Sequence, residues 1–248
     1  MNQNNKHGLS RHIPELIARN VRQRCGFGCV KCGLAIYQYH HFEPPFEYAN
    51  EHKEEGITLL CPTCHELEKK GLLSSNTVKQ YNENPVCMKR GFSNISFDLQ
   101  QNPEIILGNI TFISTPNMIE AFGKSLLKIE PPEDSNHPFR ISAIFHDASG
   151  KEIAIIHKNE WQGNVESWDI KSEGNKIIIR ERIRQISLIL RIEPPNKLVI
   201  ERLNMFYKGF RIVACEEKDT IVFLPDGNVW FRTSGMTINA CAHGIVIE

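Results

Sequence analysis

Apolar positions fall into two textures along the chain. Up to about residue 92 they are sparse and spaced for short mixed elements. Ile13, Leu16, Ile17 and Val21 recur at helical spacing behind Pro14, a residue suited to a first helical turn. Arg11, Arg19 and Arg22 occupy the opposite face of that helix. Residues 35–42 read as a strand that stops at Pro44-Pro45, and 57–60 as a second short strand running into Cys61. A helix is predicted from near Cys64 to just before Gly71, and Ser74 or Ser75 caps another through Tyr81. From residue 93 onward the pattern becomes period-two or continuously apolar. The runs are 105–113, 139–146, 153–157, 176–180, 186–192, 198–203, 210–214, 221–224 and 229–231, with turn signals such as Ser149-Gly150, Gly174-Asn175 and Asp226-Gly227 between them. Many short strands with regular turns predict a mainly β sandwich, barrel or solenoid. The chain is therefore read as α+β, with a small first domain over 1–92 and a larger β-rich domain over 93–248. Residues 126–132 and 188–195 look alike, each ending in Glu-Pro-Pro, and suggest a repeated β unit.

Composition narrows the class only slightly. A chain of 248 residues, 41% hydrophobic and 23% charged, has the material for a packed core. Net charge is zero, but it is divided unevenly: residues 1–92 hold 12 Lys+Arg against 9 Asp+Glu, and residues 93–248 hold 17 against 20. The first domain is thus mildly basic, the sign that nucleic-acid binding requires. No apolar run approaches the roughly 18 residues of a membrane span. The polar start has no signal-peptide pattern, so no membrane association and a cytoplasmic location are expected. In a reducing compartment clustered cysteines read as metal ligands.

Five of the eight cysteines fall between residues 25 and 64. Cys29-Val-Lys-Cys32 and Cys61-Pro-Thr-Cys64 are two CxxC pairs with 28 residues between them. Each pair turns two sulfurs to one side, and two such turns complete the tetrahedral thiolate shell that structural zinc prefers. Cys25 is a substitute ligand by position, while Cys87, Cys215 and Cys241 lack pairing partners and read as core. A segment this short has little apolar mass, so bound Zn²⁺ would supply folding energy that the core cannot.

A zinc framework needs no histidine, yet His40-His41, His52 and His65 lie within or beside it. Imidazole both ligates divalent metals and acts as a base near neutral pH. The run Cys29-x-x-Cys32, His40-His41-Phe42-x-Pro44 and Ile57-Thr58-Leu59-Leu60-Cys61-x-x-Cys64-His65 resembles the HNH (His-Me finger, ββα-metal) endonucleases in their zinc-containing form, over about residues 10–85. The resemblance implies a ββα-metal fold for the first domain and metal-dependent hydrolysis of phosphodiester bonds, with DNA the leading substrate. It implies His41 as general base, and His40 and His65 as ligands of a second divalent ion. Mg²⁺ or Mn²⁺ is common in the family; a site rich in imidazole also suits Zn²⁺ or Ni²⁺. Bacterial defence or restriction is the setting the family suggests.

One position departs from the family pattern. The middle Asn, usually five residues before the first cysteine of the second pair, is Gly56 here, and His52 or Asn50 stands in, with His52 preferred. The strand carrying His40 and His41 must bend or end for both to reach one phosphate, since neighbours on a flat strand face opposite ways. Arg19, Arg22, Arg24, Lys31, Lys69 and Lys70 flank the motif as candidate phosphate contacts. The acidic loop carrying Glu43, Glu47, Glu51, Glu54 and Glu55 is expected to face away from nucleic acid. The second reading is a zinc-dependent nucleic-acid or protein adaptor whose nuclease site has decayed. The β-rich domain shows no catalytic constellation and is assigned recognition or regulation, including a homodimer or protein partner.

Overall fold

In the computed structural model, residues 4–100, 103–132, 134 and 137–248 are described. The protein is mixed α and β and mostly β, with a few helices. It divides into two compact units: residues 1–95 with 163–171, and residues 96–162 with 172–248. Among the described residues no helix is long and apolar enough to cross a membrane.

The first unit begins with α1 (Glu15–Cys25), which buries Ala18, Val21 and Cys25 and ends at Gly26 in the left-handed conformation. A short antiparallel hairpin follows, β1 (Gln38–His41) against β2 (Ile57–Leu60), in register from Gln38 opposite Leu60 to His41 opposite Ile57. β1 is shorter than the apolar run predicts, because the Ala35 amide is spent on the Asn94 carbonyl at 2.8 Å. Next comes α2 (Pro62–Lys69), with Pro62 in its first turn and the Cys61 sulfur accepting from the Cys64 amide as its N-cap. Ser74 caps α3 (Ser75–Glu83) by accepting from the Thr77 amide at 3.1 Å. A five-residue helix, α4 (Val86–Arg90), went unforeseen, being too short to show a period. β3 (Phe92–Ser96) closes the segment. The core of this unit is small, built around Val21, Val30, Phe42, Ile57, Leu59, Leu60 and Val78 together with four of the cysteines.

The division read from the sequence at 92/93 falls at 95/96, and the 163–171 segment returns to the first unit. What draws that segment in is Arg22. Its side chain is fully buried and grips Asp169 through both Nε (2.7 Å) and Nη2 (2.9 Å), while Nη1 donates to the Tyr39 hydroxyl (2.7 Å) and Nη2 to Glu15 (2.6 Å). Burial opposes the guanidinium charge, but the Asp169 bonds, aided by Tyr39 and Glu15, outweigh it and hold Arg22 above its ordinary range. Gln23 adds a bond to the Trp168 carbonyl at 2.6 Å, and Arg19 lies 4.5 Å over the Trp168 ring. Removing one member of a buried ion pair leaves an uncompensated charge, so Asp169→Ala is expected to cost about 3–5 kcal/mol. Urea unfolding measures it; a loss within error of zero would mean that Tyr39 and Glu15 suffice.

The second unit is built from strands. In chain order these are β4 (Glu104–Leu107), β5 (Ile110–Ile113), β6 (Asn117–Ala121), β7 (Lys124–Glu130), β8 (Arg140–His146), β9 (Glu152–His157) and β10 (Glu160–Asn164). After β11 (Asp169–Glu173), whose residues 169–171 belong to the first unit, come β12 (Lys176–Arg182), β13 (Gln185–Glu193), β14 (Lys197–Tyr207), β15 (Phe210–Cys215) and β16 (Lys218–Phe223). The last are β17 (Val229–Thr233), β18 (Met236–Asn239) and β19 (His243–Ile247). One sheet runs β19-β6-β7-β8-β9-β10 and the other β12-β13-β14-β15-β16-β17. β4 joins the second sheet by pairing parallel to the first half of β14, and β5 and β18 extend from β4. Alternation along β8 and the second half of β14 buries every other residue, so each sheet offers one apolar face. Phe122, in the turn between β6 and β7, meets Phe210 of the second sheet, and His146 of β8 meets Tyr207, with ring centroids 5.6 and 5.2 Å apart. The two similar segments are β7 and β13, each a strand ending at Glu-Pro-Pro and paired antiparallel with the strand after it. Of the cysteines expected in the core, Cys87 is buried, Cys215 is half-buried and Cys241 is exposed; a surface loop needs no apolar side chain there.

Candidate metal cluster and histidine cleft

The two CxxC turns converge. The sulfurs of Cys29, Cys32, Cys61 and Cys64 all lie within 4.8 Å of one another, and Cys32 and Cys61 approach to 3.6 Å. A tetrahedral ion with bonds of about 2.3 Å needs sulfur separations of about 3.8 Å, so the cluster has the size for zinc. Its proton chemistry agrees. The Cys29 thiol, accepting from Cys32, is drawn down to about 5, whereas Cys32 is pushed up by that bond and Cys64 is pushed up to about 12 by burial. Four crowded sulfurs cannot all ionise by themselves; a divalent cation would replace the shared protons. Cys25 stands apart, buried against the Thr58 hydroxyl at 3.7 Å.

Cys61 and Cys64 also set the register of α2, which begins beside β1 and β2 and places His65 and Glu68 one turn apart on one side. His40 and His41, the last residues of β1, border one cleft of about 790 Å³ together with His65, Glu68, Lys69 and Arg11. β1 ends there, and the chain turns back through a bridge between Phe42 and Pro45. The His40 and His65 rings meet edge to face at 5.1 Å, and His40 Nε2 lies 3.7 Å from Glu68 Oε2. That nitrogen is buried and makes no hydrogen bond. Burial, then the charges of His65 and Lys69, lowers His40 to about 4. His65 is lowered in the same sense, by burial and then Lys69.

His41 is organised differently. Its Nε2 is 3.0 Å from His52 Nδ1, and His52 Nε2 is 3.0 Å from the Ser10 carbonyl oxygen. A carbonyl only accepts, so His52 Nε2 carries a proton; with His52 Nδ1 as acceptor, His41 donates from Nε2. The lone pair of neutral His41 is thereby placed on Nδ1. Burial, then the neighbouring His52, His40 and Arg11, lowers His41 to about 4, so the ring is neutral at pH 7. Phe46 packs between its neighbours, 5.2 Å from the His41 ring and 4.6 Å beneath the Arg11 guanidinium.

Gly56 has a steric explanation. A β-carbon there would lie 1.9 Å from the Glu43 carbonyl oxygen, and the Gly56 carbonyl accepts from the Phe42 amide at 2.9 Å. No asparagine fits that crossing, and the partner of His41 comes from His52 instead.

The cationic candidates separate. Arg22 is a correction: wholly buried on Asp169, it offers nothing to a phosphate. Arg24 is turned onto the Ile57 carbonyl and lies 3.7 Å from Glu54. Arg19 covers Trp168, Lys70 pairs with Glu66 at 3.4 Å, and Lys31 is half-buried away from the cleft lining. Of the six, Lys69 is exposed at the cleft. In the acidic loop, Lys79 neutralises Glu43 and Arg24 with Asn20 holds Glu54, but Glu47 lines the cleft rather than facing away from it. Glu68 was missed from sequence, although its position three residues after His65 was signal enough. Comparison with protein-family models, with characterised proteins and with solved structures finds no match to this chain.

Proposed function

We propose that the first unit is an HNH-type, metal-dependent endonuclease domain that hydrolyses phosphodiester bonds, with DNA as its leading substrate. The observation that carries the reading is the Ser10–His52–His41 hydrogen-bond chain, whose His41 lines one cleft together with His40, His65 and Glu68. A bare recognition surface has no use for a base whose tautomer is fixed through two rings.

In this reading His41 Nδ1 removes a proton from a water whose oxygen bonds to phosphorus as the 3′ oxygen departs. His40, His65 and Glu68 would hold the divalent ion: three donors of suitable type, one of them a buried nitrogen with no hydrogen-bond partner. When bound, such an ion supplies positive charge to the phosphate and the leaving oxygen. Arg11 and Lys69 place further positive charge at the cleft for the phosphate backbone. Cys29, Cys32, Cys61 and Cys64 would hold structural zinc that fixes α2 against the hairpin.

The test is incubation of supercoiled plasmid, single-stranded DNA and RNA with the zinc-loaded protein plus Mg²⁺, Mn²⁺ or Ni²⁺. Nicked or linear product that depends on the added metal is expected. Tight binding with no cleavage of any substrate under any metal would sink the reading and leave the adaptor.

A further inference from the structure

The β-rich unit carries a second charged surface that this chemistry does not use. Along β14 Leu203, Met205 and Tyr207 are buried, and along β15 Ile212 and Ala214. The intervening residues face the other way. The register sets Asn204 opposite Val213, Val213 opposite Ile221, and Ile221 opposite Arg232. Arg202 is two residues before Asn204, and Arg211 two before Val213, so three arginines from β14, β15 and β17 share one solvent face. They border a cleft of about 880 Å³ whose rim adds Arg184 and Lys218.

Against these five cations the lining offers two carboxylates, Glu217 and Asp219. Asp219 sits 3.9 Å from Arg232, and Arg211 donates to Asn204 at 2.9 Å. Among the described residues, Arg184, Arg202 and Lys218 make no ion pair. Residues 93–248 are acidic overall, 17 Lys+Arg against 20 Asp+Glu, so the gathering of cations is local. Clustered like charge raises the potential over a concave surface and attracts anions. Strand spacing puts the α-carbons of Arg202 and Arg211 about 14 Å apart, and those of Arg202 and Arg232 about 16 Å apart. A lone phosphate does not span that triangle; a polymer with repeating phosphates does, and guanidinium is the side chain that grips phosphate oxygens in pairs.

We infer that the β14–β17 face, through Arg202, Arg211 and Arg232 with Arg184 and Lys218, is a binding surface for the sugar-phosphate backbone of a nucleic acid. It shares the substrate class of the nuclease reading but not its chemistry, and the two fail separately. The experiment is fluorescence anisotropy of a short labelled DNA duplex and its single strand, without added divalent metal. It compares His41→Ala protein with the same protein carrying Arg202→Gln, Arg211→Gln and Arg232→Gln. Three phosphate contacts at a slope of about 0.9 each mean that raising salt from about 50 to about 200 mM should cost the parent about fortyfold more duplex affinity than the triple variant. A second variant, Glu217→Gln with Asp219→Asn, should bind more tightly than the parent. Equal affinity and equal salt slope in the triple variant, with metal-dependent cutting shown by the wild-type protein, would overturn the inference and leave the nuclease reading standing. Weaker binding with a shallower salt slope in the triple variant, together with a wild-type protein that cuts no substrate under any metal, would uphold the surface and end the nuclease reading. Binding of polyglutamate in place of both DNA forms would overturn it too.

Discussion

His41→Ala is expected to lower metal-dependent cleavage by about 10²–10⁴-fold, the range that a positioned general base contributes, while zinc content and thermal stability stay at wild-type level. His41 lies outside the cysteine cluster, and its ring is supported by His52 and Phe46 rather than supporting them. Its loss therefore removes a proton acceptor from the cleft without removing a sulfur or a core side chain. His52→Ala should lose less, because the His41 ring remains but no longer has its proton held on Nε2. Restoration of part of the His41→Ala activity by added imidazole would identify the missing group as a base. Loss of zinc in His41→Ala, or unchanged cleavage, would show that the role belongs elsewhere.

Cys61→Ser is expected to release the zinc and unfold the first unit. Structural zinc contributes on the order of 10–16 kcal/mol of binding energy, whereas a whole domain is stable by about 5–15 kcal/mol; a site that loses one of four thiolates cannot make up the difference. The small core of this unit has few large side chains to compensate. Cys61 also starts α2, so its loss frees the helix that carries His65 and Glu68. The measurements are zinc released to a chromogenic chelator, circular dichroism, and protease sensitivity within residues 4–95. A Cys61→Ser protein with one zinc per chain and an unchanged melting temperature would refute the structural role.

What was readable in one dimension were the features set by short-range spacing. Two CxxC pairs mean four sulfurs on two turns, and the structure brings those four together. Period two means strands, and the elements described after residue 93 are all strands. Helix α1 and the Ser74 cap of α3 follow from local apolar spacing and a side-chain oxygen near free amides. Shorter features escaped: α4 is barely a turn long, and β1 yields its first residues to a contact with Asn94.

The positions that tertiary structure decided are those where a side chain's partner is remote in sequence. Arg22 looks like a surface cation on a helix face until Asp169, 147 residues away, closes on it and turns it into a buried ion pair. Gly56 looks like a lost asparagine until the Glu43 carbonyl arrives and leaves no space for any side chain. The arginines of β14, β15 and β17 are scattered singly in the sequence, and pairing of the strands places them on one face. By itself the sequence determined which residues could ligate, turn or pair locally, because those choices depend on covalent neighbours. Burial and charge depend on what the chain folds back against, and so belong to the tertiary structure alone.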